Sequence, residues 1–261
     1  MKLFTSLLFI LLGACASGSH TTIDATHDPV VASPTVDAVR AAVDAPDRSD
    51  ADRALDEGRK PYELLTLFGV KPGMHVVELA AGGGYTAELL ARIVGPTGSV
   101  IGMNSPFILQ KFAEKPWSER LTKPIMANVT RWDGNFETPF PPGTKDLDLV
   151  VNHLFYHDTV WLGTDRAAMN RAIFDGLRSG GVYAVVDHSA LAGHGVADAQ
   201  TLHRIEEDVV VKEVTAAGFV LAKRSDLLRH AADTRDWSTS PSAAGEKRGT
   251  SDRFILLFAK P

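Results

Sequence analysis

Two polar segments carry the side chains of this chain that are best suited to chemistry. Residues 152–158 read N-H-L-F-Y-H-D after an apolar run, and residues 187–189 read D-H-S after another. Imidazole titrates near neutral pH and can act as a general base, and histidine together with aspartate can also bind a metal ion. The segments therefore provide five candidate catalytic residues: Tyr156, His157, Asp158, Asp187 and His188.

A structural explanation of these side chains stays open, because a loop histidine or a buried tyrosine can simply be hydrogen-bonded. His194 and His203 follow nearby in the sequence and could join the same rim. Neither an H-x-H nor an H-E-x-x-H spacing occurs, however, so we assign no metal ligand.

A glycine-rich turn is the second feature that indicates a ligand site. Residues 76–86 read V-V-E-L-A-A-G-G-G-Y-T, and an amphipathic helix pattern continues through residues 85–94. Glycine lets a ligand approach the backbone, and the N–H groups at the start of the helix point at that ligand. This order is typical of nucleotide-type pockets, although a flexible turn without a ligand uses the same residues.

Apolar strand patterns alternate with helical patterns along most of the chain. Buried strands separated by helices of ordinary length predict a doubly wound α/β sheet that is mainly parallel. An irregular polar stretch, residues 226–252, precedes the last strand and predicts that this strand is antiparallel. The predicted strands are 74–79, 99–104, 125–129, 147–151, 182–187, 218–221 and 253–258, and the predicted helices are 49–68 with a split at Pro61, 85–94, 106–121 with a break at Pro116, 166–177 and 201–217.

The first residues predict export. Residues 1–14 combine an early Lys2, an apolar core and small residues, which is the pattern of a secretory signal peptide. The following L-G-A-C resembles the bacterial lipobox and implies lipidation of Cys15 and a membrane anchor, with plain secretion after Ala14 or Ala16 as the alternative. A non-acidic Ala16 implies the outer membrane of a Gram-negative bacterium, with the protein in the periplasm.

The composition indicates a globular domain and excludes some partners. The chain has 261 residues, is 44% hydrophobic and carries a formal net charge of -5, so electrostatics do not favour nucleic acid. Its single cysteine excludes an intrachain disulfide. Residues 15–47, rich in Ala, Ser, Thr, Asp, Val and Pro, predict a flexible tether, and residues 48–261 the folded domain.

From about Ser49 onward the chain resembles the class I S-adenosylmethionine-dependent methyltransferases, and among them a group of predicted exported bacterial proteins. The group is similar in its A-A-G-G-G-Y-T, D-R-A-A-M-N-R, V-D-H-S-A and S-D-R-F segments. The matching motifs of the superfamily occur in the expected order: the glycine-rich first motif at 76–85, the fourth strand at 147–152, an L-x-P-G-G turn at 177–181 with Ser179 for proline, and an A-G-F turn at 217–219.

The resemblance implies a Rossmann-like sheet of seven strands, with the first strand central and the last one antiparallel. It also implies that S-adenosylmethionine binds at the carboxyl ends of the first two strands. The cofactor-binding residues implied are Glu78, Ala80, Gly82, Gly83, Gly84, Tyr85, Asn104, Asp133, Asn152 and His153.

Glu78 would lie under the methionine moiety, and Asp133 near the adenine amine; a cap or turn role is the alternative for each. Two residues depart from the family pattern. Ala80 replaces the first glycine, and Asn104 replaces the acid that normally holds the ribose hydroxyls. Because charge-assisted hydrogen bonds are the stronger kind, we predict weaker cofactor binding than with an acid at position 104.

Three functions remain open from the sequence. The first is an exported or membrane-anchored methyltransferase that acts on a small molecule, with His157 or His188 as the base. The second is a non-catalytic envelope binding protein, since fold does not determine function and S-adenosylmethionine is made in the cytoplasm. The third is a metal-dependent hydrolase that uses the histidine-rich rim. The sequence indicates neither the methyl acceptor nor the oligomeric state.

Overall fold

The computed structural model of the protein describes Met1 and residues 34–261. The predicted signal peptide, the lipidation site Cys15 and most of the predicted tether lie outside the described residues. In the described chain, one sheet forms the centre of the fold, in the order β3-β2-β1-β4-β5-β7-β6. Its strands are β1 (His75–Leu79), β2 (Ser99–Asn104), β3 (Val129–Asp133), β4 (Leu147–His153), β5 (Leu177–His188), β6 (Val220–Ser225) and β7 (Arg253–Ala259).

The strand pairing confirms the predicted α/β class. Strands β1 to β5 pair in parallel, whereas β7 runs antiparallel to both β5 and β6. Parallel neighbours need crossover connections, and the helices that supply them cover both faces of the sheet. The inner strands are accordingly apolar and buried, as Val76 and Val77 in β1 and Val150 and Val151 in β4 illustrate.

Helices flank the sheet on the described part of the chain. They are α1 (Pro34–Val43), α2 (Asp50–Arg53), α3 (Asp56–Arg59), α4 (Pro61–Phe68), α5 (Tyr85–Val94), α6 (Pro106–Ile108), which a π-helical segment (Leu109–Ala113) joins to α7 (Glu114–Leu121), then α8 (Asp158–Trp161), α9 (Arg166–Gly176) and α10 (Glu207–Ala216). None of the described helices has the length and apolar character that crossing a bilayer requires.

Several predicted elements differ from the structure, and three of the differences have a local cause. β3 begins at residue 129, because Pro124–Met126 forms a short 3-10 turn where the strand was expected. The helix expected from residue 201 begins at residue 207, because His203 has a left-handed backbone (φ 53°). Pro116 does not break α7, because it lies in the first turn of that helix, where proline is tolerated.

Helix α1 corrects the predicted tether. Its residues Val39 and Ala42 are buried and pack with α4 and α5. They lie three positions apart, which places them on one apolar helix face, and an apolar face of this kind gains stability by packing against a core. The folded domain therefore begins before residue 48.

The sheet register brings three polar segments to one edge. Leu79 at the end of β1 pairs with Asn152 in β4, and His153 pairs with Val186 in β5. The glycine-rich turn and the two histidine-containing segments consequently leave the sheet side by side, as the carboxyl ends of parallel strands must.

Candidate functional site

The carboxyl ends of β1, β4 and β5 border a cleft with a volume of about 1520 Å³. The glycine-rich turn forms part of its wall, and His153, His157, Asp158 and His188 form another part. Two further walls come from the α2–α3 segment, within residues 51–60, and from the loop within residues 230–253. The glycine turn and the histidine-rich rim thus share one cleft.

The glycine turn is open in its middle. Ala80, Gly82 and Gly84 all have positive φ angles, of 51°, 56° and 83°. Ala80 therefore adopts the conformation that glycine usually takes, at a cost of about 1–2 kcal/mol. A Cβ on Gly82 would meet no heavy atom closer than 3.9 Å, whereas a Cβ on Gly84 would clash with Trp117. Gly82 and Gly83 can contact a ligand, and the predicted role of Gly84 becomes one of packing.

Asn104 lies beneath the turn and does not border the cleft. Its Oδ1 accepts a hydrogen bond from the Gly82 N–H (2.8 Å), and its Nδ2 donates to the Gly82 carbonyl oxygen (3.2 Å). The side chain is fully buried, and both of its polar groups are used on the turn. The structure therefore assigns Asn104 to holding the turn, in place of the implied contact with ribose hydroxyls.

Glu78, at the carboxyl end of β1, is a buried acid that borders the cleft. Burial raises the pKa of Glu78 to about 8, although interactions with Thr86, Arg59 and the Ala87 backbone act in the opposite direction. Its Oε2 has no hydrogen-bond partner among the described residues. A buried acid of this kind is protonated near neutral pH in the unliganded cleft and would ionise on pairing with a cationic group of a ligand.

Arg59, at the end of α3, provides a guanidinium whose charge acts on Glu78, and it was not predicted as a site residue from the sequence. It lines the cleft, and its guanidinium carbon lies 4.3 Å from the centroid of the Tyr85 ring. Burial lowers the pKa of Arg59, and no salt bridge to it occurs among the residues that the structure describes. The Tyr85 hydroxyl donates to Asp56 (2.6 Å), so its implied cofactor contact is through the ring. The cleft thus contains an acid and a guanidinium, which complement the ammonium and the carboxylate of an amino acid.

A buried ionic network fixes the wall that carries Arg59. Arg120 forms a salt bridge with Asp52 on α2 (2.7 Å) and another with Glu88 on α5. The Nε of Arg120 also donates to the carbonyl oxygen of Gly83 in the turn. One arginine on α7 therefore ties the N-terminal helices to the glycine turn.

His157 lies between two carboxylates. Its Nδ1 is 2.7 Å from Asp187 Oδ1, and its Nε2 is 3.1 Å from Asp158 Oδ1 and 3.2 Å from His203 Nδ1. Burial lowers the pKa of His157, but the charges and hydrogen bonds of Asp187 and Asp158 outweigh this effect and raise it to about 10. Such an imidazole is already protonated at neutral pH, which argues against the predicted general base. Asp187 pairs with His157 through its side chain, although His188 is its neighbour in the sequence.

His188 and His153 are neutral imidazoles at the cleft, because burial lowers the pKa of each well below 6.5. The Nδ1 of His188 lies 2.8 Å from Ser251 Oγ, and its Nε2 has no partner in the described part of the chain. The Nδ1 of His153 lies 3.2 Å from Thr86 Oγ1, and its Nε2 is buried without a partner. Both rings therefore keep a nitrogen with which a ligand or proton could interact.

Three further predicted site residues lie away from the cleft. Tyr156 is fully buried, and its hydroxyl donates to Glu213 on α10 (2.9 Å), which makes it a structural residue. Asn152 is also fully buried, with its amide against the Tyr183 hydroxyl. Asp133 is exposed and forms a salt bridge at the surface. The structure gives no support to a catalytic role for the first or a cofactor role for the other two.

Comparison with known proteins agrees with this architecture. A family model for protein-L-isoaspartate(D-aspartate) O-methyltransferase (PCMT) matches residues 60–135, which contain β1, the glycine turn, α5, β2 and β3. A SAM dependent methyltransferase from Aquifex aeolicus aligns at a TM-score of 0.57 and 16% identity, over 82% of this chain and 100% of that one. The fold is that of the class I methyltransferases.

The methyltransferase fold is not restricted to one reaction. The [4+2]-cyclase SpnF aligns at a TM-score of 0.54 and 17% identity, over 81% of this chain and 82% of that one. Because similarity at this level establishes the fold alone, the reaction must be argued from the side chains of the cleft.

Proposed function

We propose that this protein is an S-adenosylmethionine-dependent methyltransferase that acts on a small molecule. The observation that carries the proposal is the pair formed by Glu78 and Arg59 beside the open turn at Gly82. Glu78 would lose its proton on binding and pair through its unpartnered oxygen with the ammonium of the cofactor's methionine end, and the guanidinium would bind the carboxylate of that end. The PCMT match over residues 60–135 supports the same assignment.

The side chains at the cleft fit the methionine end of the cofactor better than its ribose. Asn104, at the end of β2, is occupied by the turn, so the ribose hydroxyls would lack the acid that the resembled family provides. We therefore expect the methionine end to supply most of the affinity. Replacing Asn104 with Asp would set a carboxylate against the Gly82 carbonyl oxygen and should destabilise the turn rather than tighten binding.

The cofactor supplies an electrophilic methyl group when bound, and positioning of the acceptor then provides much of the rate. We assign His188 as the base, because it lines the cleft and its Nε2 is left as an acceptor when Nδ1 donates to Ser251. Asp187 is a positioning residue: its carboxylate accepts from the backbone N–H groups of His157 and His188, both at 2.7 Å. Phe155 and Trp161 line the same cleft and would exclude water from it.

Calorimetric titration of the full chain with S-adenosylmethionine tests the proposal. One binding site is expected in the wild type. Glu78→Gln and Arg59→Gln should each weaken binding by about 30-fold or more, equivalent to about 2 kcal/mol. Arg171→Gln, on the exposed side of α9, is the matched control and should bind like the wild type.

Two results would count against methyl transfer. Absence of both binding heat and a rise in melting temperature at millimolar cofactor would favour a binding protein that keeps only the fold. Equal affinity of the wild type and both cleft variants would mean that the cofactor, if it binds, does not use Glu78 and Arg59.

We further propose that the protein is exported and is anchored through Cys15 at the periplasmic face of the outer membrane. The support is the signal pattern of residues 1–14 followed by L-G-A-C. Expression in a Gram-negative host with radiolabelled palmitate should label the wild type in the outer-membrane fraction, and Cys15→Ser should remain unlabelled. A wild type without label in any membrane fraction would contradict the anchor.

A further inference from the structure

Three potential metal ligands meet at the edge of the cleft, and we propose that they form a binding site for a divalent first-row metal ion. The donor atoms are His157 Nε2, Asp158 Oδ1 and His203 Nδ1. Their separations are 3.1 Å from His157 to Asp158, 3.1 Å from Asp158 to His203 and 3.2 Å between the two rings. All three residues line the cleft.

These separations match the geometry of a coordinated ion. Donor atoms placed about 2.1 Å from a metal lie about 3.0 Å apart at octahedral angles and about 3.4 Å apart at tetrahedral angles. The three measured distances fall between these limits. A single ion can therefore contact all three atoms without rearrangement of the backbone.

Hydrogen bonding alone explains the close approach of the three donor atoms poorly. Asp158 Oδ1 would have to accept from both rings, and the two ring N–H groups would then face each other across 3.2 Å. One divalent cation at the centre takes the place of both protons and removes this conflict. Asp158 Oδ1 also accepts from Trp161 Nε1 (2.8 Å), which fixes the carboxylate.

The surroundings of His157 and His203 resemble those of metal-binding histidines. Asp187 Oδ1 lies 2.7 Å from His157 Nδ1, so that once a metal ion replaces the proton on Nε2 the carboxylate would hold the ring in the tautomer that presents the Nε2 lone pair. A carboxylate, a histidine and a metal in this order are common in metalloproteins. His203 has a left-handed backbone, and its carbonyl oxygen accepts from Thr239 Oγ1 (2.8 Å). Conformations of this kind are costly for residues other than glycine and are concentrated at functional sites.

Two imidazoles and one carboxylate suit ions such as Zn²⁺, Co²⁺ and Fe²⁺. Three protein ligands leave coordination positions that face the cleft. An acceptor hydroxyl bound there would lose its proton more readily, because a metal ion lowers the pKa of a bound hydroxyl or water. Only this last step rests on the proposed methyl transfer; metal binding itself does not.

The test measures metal binding without S-adenosylmethionine. The untagged full chain is treated with a chelator, titrated with Zn²⁺ by calorimetry, and analysed for bound zinc after dialysis. Co²⁺ serves as a second probe, because its visible absorption reports nitrogen and oxygen ligands directly. One equivalent of zinc is expected for the wild type.

Variants separate the proposed site from adventitious binding. His203→Ala, at a partly exposed position, should lower the zinc affinity by more than about 100-fold, since loss of a ligand exceeds the 10- to 100-fold effect of a second-shell partner. Asp158→Asn should have a similar effect. His194→Ala is the matched control, because His194 also pairs with an aspartate, Asp198, but does not border the cleft.

Zinc below a quarter of an equivalent in the wild type would overturn the proposal. Full zinc content in both His203→Ala and Asp158→Asn would overturn it equally. Loss of zinc in these two variants, retention of zinc in His194→Ala, and a Co²⁺ spectrum in the wild type and in His194→Ala but not in the two ligand variants would establish it. Because metal binding is measured without cofactor, its failure would leave the calorimetric result with S-adenosylmethionine unaffected.

Discussion

Replacement of Glu78 by glutamine should change how the stability of the protein depends on pH. Burial raises the pKa of Glu78 from 4.5 to about 8 in the folded state. Between these values the folded protein holds a proton that the unfolded chain has lost, so the unfolding free energy must fall as pH rises through this window. At about 1.4 kcal/mol per pH unit, the loss attributable to this carboxyl is at most about 5 kcal/mol. Glutamine does not titrate and abolishes this contribution.

Urea unfolding at pH 5.5, 6.5, 7.5 and 8.5 measures the effect. Glu78→Gln should gain stability relative to the wild type as pH rises, by about 1 kcal/mol per pH unit up to pH 8. Glu88→Gln is the matched control: burial would raise the pKa of Glu88, but Lys123, Arg92 and Arg120 lower it. Glu88 is therefore ionised in both states above pH 5.5, and its replacement should cost the same at every pH tested. Parallel pH profiles of the wild type and Glu78→Gln would refute the reasoning.

Three further substitutions test the positioning of the site by urea unfolding and cofactor titration. Ala80→Gly should raise the unfolding free energy by about 0.5–1 kcal/mol, because relief of the left-handed strain exceeds the entropy added to the unfolded chain; a loss would contradict the strained turn. Arg120→Met should lower it by about 3 kcal/mol, since Asp52 and Glu88 are left as buried carboxylates, and a loss below about 1 kcal/mol would mean that the network contributes little. Tyr156→Phe should lower the unfolding free energy by about 1–2 kcal/mol and leave cofactor affinity unchanged. A tenfold change in affinity would mean that Tyr156 does act in the site.

The central part of the fold could be predicted from the sequence because its signals are local. Strand β2 and helix α5 have the predicted bounds, each being an apolar or amphipathic pattern ended by a glycine turn or a polar residue. The weakly apolar β3 lies at the sheet edge, where the half-polar pattern V-T-R-W-D gives a poor signal. Helix α1 was mistaken for a tether, because a single short apolar face among small residues is visible only once its partners α4 and α5 are known.

The site could be predicted to the level of the sheet edge but not to the level of its contacts. Parallel topology alone brings the glycine turn and the histidine segments together, so their common cleft followed from the sequence. The sequence did not show which residue Asp187 contacts. Successive residues of a strand point to opposite faces, and the side chain of Asp187 reaches His157 on the neighbouring segment. Arg59 comes from a distant segment without a motif, so only tertiary structure could place it at the cleft, and only the structure separates His203, which lines the cleft, from His194, which does not.

The most direct test of the account compares two ligands that differ at the amino acid end. S-adenosylhomocysteine and 5′-methylthioadenosine share the adenosine and a neutral thioether sulfur, but only the former has the ammonium and carboxylate that Glu78 and Arg59 are proposed to bind. Calorimetry of the full chain should show that the wild type prefers S-adenosylhomocysteine by about 30-fold or more and that Arg59→Gln loses most of this preference. Equal binding of both ligands by the wild type, or binding of neither, would contradict the proposed recognition of the cofactor.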